Sequence, residues 1–79
     1  MKGVFFCLVL TAAAGAARAD DRSDCVDGIA MLRAEVPKAA AAIKGRLERE
    51  LRIAEREQGE GEFDECVDAI RAARKAMGR

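Results

Sequence analysis

The chain has no histidine, tryptophan or tyrosine, one proline (Pro37), and three phenylalanines, two of which, Phe5 and Phe6, lie in the first ten residues. Each scarcity removes a class of function. Without histidine, Ser–His and Cys–His nucleophilic arrangements are impossible, and zinc loses its commonest nitrogen ligand. With Phe63 as the only aromatic after residue 6, there is no platform on which nucleic-acid bases stack. Long apolar runs are also missing. Val4 to Leu10 is the one strongly apolar stretch, well short of the roughly 20 residues that span a bilayer.

The first 19 residues instead have the layout of a secretory signal peptide. A short positive start, Met1-Lys2, leads into the apolar stretch, and a small-residue tract ends Ala17-Arg18-Ala19 just before Asp20-Asp21. That order of charged, apolar and A-x-A segments predicts cleavage after Ala19. Cys7 falls inside this leader. Removing residues 1–19 takes away Lys2 and Arg18, so 12 basic residues remain against 14 acidic ones, a formal charge of −2. That balance predicts no general affinity for nucleic acid or anionic membrane, and the lack of a second apolar segment predicts no membrane insertion once the leader is gone. Periplasm or cell exterior is the expected location.

What remains is one small domain, too short to bury a large core, and such exported domains commonly carry a covalent staple. The chain supplies one through a stretch it contains twice: Asp24-Cys25-Val26-Asp27-Gly28-Ile29 and Glu65-Cys66-Val67-Asp68-Ala69-Ile70. On a helix the Cys at i and the Ile at i+4 share a face. The two copies read as matching early turns of two helices. With Cys7 gone, Cys25 and Cys66 are the two thiols left for an oxidising compartment, and a disulfide between them is expected. Their wide separation is unlike a C-x-x-C redox pair, although sulfurs near helix N-termini keep thiol–disulfide chemistry open as a lesser reading.

Three helices are predicted. Cys25, Ile29, Leu32 and Val36 form an apolar seam over a helix at 24–35, with Ser23 as its N-cap. Lys38 to Gln58 is rich in Ala, Leu, Glu and Arg and carries the seam Ala40, Ile43, Leu47, Leu51 and Ala54. Gln58 to Glu62 holds two glycines and no apolar residue, which marks a loop. Phe63, Cys66, Ile70, Ala73 and Met77 then define a helix at 63–77, acidic at its start and basic at its end, as the helix dipole favours. Pro37 either reverses the chain or kinks one long helix. A kink would carry Cys25 far from Cys66. Reversal gives an all-α, up-down-up bundle in which helices 1 and 3 run parallel and the cysteines meet, and the repeat favours it. A monomer is then expected over a disulfide-linked dimer.

The remaining features point to no catalysis. The acids Glu62, Asp64 and Glu65 lack the spaced glycine and terminal Glu of a 12-residue calcium loop and fit a dipole-matched helix start. No metal and no cofactor is predicted. The tract Lys44 to Glu57 interleaves both charges and reads as a solvated helix face. Ala39 to Ala42 is expected to let helices approach closely inside the bundle. Helix 2 is expected to overhang helix 1 at its C-terminal end, leaving Leu51, Ile53 and Ala54 partly uncovered as a patch for a protein partner. The functional expectation is a small exported, non-enzymatic protein-binding or structural module. In outline (leader, two cysteines, small charged helical body) the chain is similar to periplasmic acid-stress chaperones, which implies a stress or chaperone-like role as the alternative.

Overall fold

The structure, a computed structural model, describes residues 20–79. The leader predicted over residues 1–19 lies outside the described residues. Residues 20–35 form α1, Ala41–Gly59 α2 and Phe63–Ala76 α3, with a short 3-10 turn at Val36–Lys38. Because α1 is already helical at residue 20, Ser23 lies inside it and is not the expected cap.

Pro37 reverses the chain. Having no N–H to donate, it cannot continue the hydrogen-bond ladder of α1. The Ala39 N–H closes the 3-10 turn on the Val36 carbonyl at 3.2 Å. Ala39 and Ala40 then adopt extended backbone, and the Ala40 carbonyl accepts from the N–H groups of Ile43 and Lys44, both at 3.0 Å. Helix 2 therefore starts at Ala41 and not at Lys38. The second reversal is made by Gly61, whose φ of 77° suits a residue without Cβ. Its N–H bonds to the Gln58 carbonyl at 3.1 Å, and the Glu62 N–H to the Glu57 carbonyl at 2.9 Å, the paired bonds of a Schellman motif. Gly78, at φ 82°, ends α3 the same way through Lys75 and Arg74.

Four contacts fix the direction of α1 against α3. The Arg22 guanidinium sits 4.9 Å above the Phe63 ring, Cys25 is bonded to Cys66 across 41 residues, Gly28 lies on Ile70, and Glu35 meets Arg79 at 3.4 Å. Partners climb both helices together, so the helices are parallel. Helix 2 descends between them: Glu57 with Glu65, Ile53 with Ala69, and Glu50 with Ala72 line one groove in antiparallel register. The fold is the all-α, three-helix, up-down-up bundle with one disulfide.

The buried apolar core is small: Cys25, Ile29, Leu32, Leu47, Ala54, Cys66, Ala69, Ile70 and Ala73. All but Ala69 belong to the predicted seams, with Val36, Ile43, Leu51, Phe63 and Met77 packed half-buried around them. Ala40 departs from its seam and is exposed, as are Ala41 and Ala42, so within the alanine run only Ala39 packs against the core. The closest approach between helices is at Gly28. A Cβ there would stand 2.6 Å from Cγ2 and 2.7 Å from Cγ1 of Ile70, distances no side chain tolerates without movement. The glycine lets the repeat's isoleucine from α3 seat against the backbone of α1.

Candidate functional site

Folding the chain up-down-up sorts its charges by end. In the half containing the disulfide lie residues 20–28 of α1 and 55–68 of α2, the turn and α3. This half holds Asp20, Asp21, Asp24, Asp27, Glu55, Glu57, Glu60, Glu62, Asp64, Glu65 and Asp68 against only Arg22 and Arg56, a formal −9. The other half, around Pro37, holds ten basic residues against Glu35, Glu48 and Glu50, a formal +7. The two add to the −2 of residues 20–79. A nearly neutral chain has become a molecule with an acidic pole and a basic pole.

Helix dipoles account for part of this. The N-termini of α1 and α3 both lie at the acidic pole, where their partial positive charge favours carboxylates, and Arg74 and Lys75 in the last turn of α3 match its other end. Helix 2 does not fit. Its first turn has no acid and its last turn has one base, Arg56, while Lys44 and Arg46 stand near its start and Glu55, Glu57 and Glu60 near its end. That order opposes its own dipole, and antiparallel packing places its acidic end beside two acidic helix starts. Stability alone would have favoured the reverse order.

Electrostatic strain is visible at Glu65. Its carboxyl is held above the ordinary 4.5, first by the neighbouring charge of Glu57, then by slight desolvation, Asp64, Glu62 and Asp68. Glu57 is the one buried charged side chain of the described residues, 9% exposed, and its Oε2 accepts from Arg56 at 3.4 Å. An ion pair between helices ties the two halves together: Arg33 Nε and Nη2 donate to Glu55 at 3.1 and 2.6 Å. Side chains on a helix lean toward its N-terminus, so Arg33 and Glu55, on antiparallel helices, lean toward each other.

A shallow open groove of about 320 Å³ runs between α2 and α3. Ile53, Ala69 and Ala72 form its apolar floor, and Glu50, Glu57, Glu65 and Asp68 rim it. Of the three residues predicted to form a partner patch, only Ile53 belongs to this groove. Leu51 is half-buried against the core and Ala54 is fully buried. The reason is register: with Cys25 level with Cys66 and Glu57 with Glu65, Leu51 and Ala54 stand alongside the middle of α1 and not past its end. Sequence reasoning missed the groove's carboxylates, whose signal was available in the i, i+3 and i+4 spacing of Glu50, Ile53 and Glu57.

Cys25 and Cys66 are brought together and fully buried. Among the described residues, no group of three Cys, Asp or Glu side chains is placed to hold a metal ion, and no helix is long and apolar enough to cross a membrane. Comparison of the chain with protein-family models, curated proteins and solved structures found no match.

Proposed function

We propose that this chain is an exported, non-enzymatic protein-binding or structural module that engages charged protein surfaces through its poles. The observation that carries this reading is the charge order of α2, which opposes both its own dipole and its neighbours. An arrangement that costs stability in so small a domain points to use outside the domain. Complementary charge steers association and sets orientation more than it adds affinity, which suits a weak, reversible binder. Burial of both sulfurs supports a structural disulfide over an exchanging one, since attack needs access to sulfur. The leader-like residues 1–19 support export.

A stress or chaperone-like protein that works by unfolding in acid is the other reading. The raised Glu65 carboxyl argues against it, because protonating that group relieves repulsion at the acidic pole.

Gel filtration of the native exported fraction, read by intact mass, tests the proposal. The expected chain begins at Asp20, is two hydrogens lighter than its reduced form, and elutes in a complex that dissolves at about 1 M salt, where the Debye length is roughly 3 Å. Elution as a free monomer at every salt concentration would overturn it.

A further inference from the structure

We propose that two copies of this chain pair antiparallel through the α2–α3 face, the acidic end of each lying on the basic end of the other. The inference rests on the reading of the chain as an interaction module and names a partner for one face. Arg46, Glu50, Ile53 and Glu57 of α2 fall within about 60° of one another at 100° per residue, and Glu65, Asp68, Ala72 and Lys75 of α3 within about 80°. Glu50, Ile53 and Glu57 of the first stripe and Glu65, Asp68 and Ala72 of the second line the same groove, and Arg46 and Lys75 continue the two stripes one helical turn further.

The acids alone would say nothing about a partner. The second observation is that the same face carries their complement at matched spacing. Arg46 lies about 16 Å from Glu57 along α2, and Lys75 about 15 Å from Glu65 along α3, at 1.5 Å per residue. In the antiparallel register Arg46 stands level with Ala76, beside Lys75, as Glu57 stands level with Glu65. The face therefore reads acidic at one end and basic at the other, with Ile53, Ala72 and the carboxylate of Glu50 near its middle. A two-fold axis through that middle superposes each acidic pair on the partner copy's basic pair. One operation sets the exposed Glu65 of each copy on the other's Lys75, brings Arg46 over the end that holds the buried Glu57, and covers Ile53, and the assembly closes at two copies. Arg46, Glu65, Asp68 and Lys75 are all exposed, and Asp68 additionally accepts from Arg71 at 3.1 Å.

Sedimentation velocity of the purified, disulfide-intact protein over a concentration series tests this. At about 0.01 M ionic strength, where the Debye length is roughly 30 Å, a monomer–dimer equilibrium is expected, and at about 1 M a monomer. Arg46→Glu with Lys75→Glu, and separately Glu65→Lys with Asp68→Lys, should each abolish the dimer with the helical circular dichroism unchanged. Mixing the two variants should restore it as a heterodimer. Asp24→Lys with Asp27→Lys on exposed positions of α1 changes the net charge equally and should leave the dimer intact. A folded wild-type monomer at low salt overturns the dimer, while the module's affinity for other charged proteins keeps its own test above. Growth beyond two copies, or dimers indifferent to the reversals at residues 46, 65, 68 and 75, also overturns it.

Discussion

The two ends of the bundle are held by different means. At the disulfide end, α1 and α3 are joined covalently, Gly28 lets them touch, and the cation of Arg22 covers the Phe63 ring. That end must also hold together the carboxylates that repel one another around Glu65. At the Pro37 end there is no covalent link. A 3-10 turn, the Glu35–Arg79 pair and half-buried Val36, Ala39 and Ile43 hold three helices whose charges are mostly positive. The strongest fastening lies where like charges are most crowded. The comparison teaches that the staple supports a charge distribution the small core alone would not favour.

Removing the staple is the largest way to break the contrast. By the chain-entropy model, a loop of about 41 residues stabilises by about 4 kcal/mol. A domain of this size has total stability of only about 3 to 9 kcal/mol at the usual 0.05–0.15 per residue. Cys25→Ala with Cys66→Ala should therefore lose most of its cooperative urea transition by circular dichroism. An unchanged midpoint would show that the core suffices at both ends.

Two glycines inside helices, Gly28 and Gly45, sharpen it next, one at each end. Gly28→Ala drives a Cβ into Ile70, and overpacking of that kind costs about 1 to 3 kcal/mol. Adding Ile70→Ala should recover part of the cost, a coupling readable in a double-mutant cycle. Gly45 in α2 has nothing within 4 Å of the position a Cβ would take. Gly45→Ala should stabilise by about 0.5 to 1 kcal/mol through helix propensity. Equal effects at the two positions would contradict the close approach of α1 and α3.

Glu65 tests the crowding itself. A carboxyl whose folded pKa is raised binds its proton more readily folded than unfolded. Its destabilising contribution is full above the raised value and fades as pH falls toward the ordinary 4.5. Glu65→Gln should therefore raise the melting temperature at neutral pH and lose that advantage in acid. An advantage that grows on acidification would reverse the sign. The smallest effect is expected at Arg33, an exposed partner of Glu55, where Arg33→Ala should cost no more than about 1 kcal/mol and less in salt.

Much of the fold was legible because it rests on local or pairwise signals. Seams at steps of three and four marked the core faces of all three helices. The glycines at 59 and 61 marked the second turn, and the repeated Cys-Val-Asp motif paired Cys25 with Cys66. Residues 20–23 were not legible as helix, since nothing in Asp20-Asp21-Arg22-Ser23 distinguishes a frayed start from a first turn. The patch expected at Leu51 and Ala54 failed separately, on register, because the level of the Cys25–Cys66 bond sets both residues alongside α1.

By itself, then, the sequence determined three amphipathic helices, where they break and which sulfurs join, because periodicity, turn residues and two thiols act over short distances or leave one pairing. Tertiary structure alone decided where the charges gather, which glycine is indispensable, and that Glu50, Ile53, Glu57, Glu65 and Asp68 share a groove. Charge signs are written along the chain, but whether Glu57 lies beside Arg74 or beside Glu65 depends on the direction and register in which helices pack. Gly28 and Ala69 occupy the same place in the repeat, and only the crossing of α1 over Ile70 makes one of them irreplaceable.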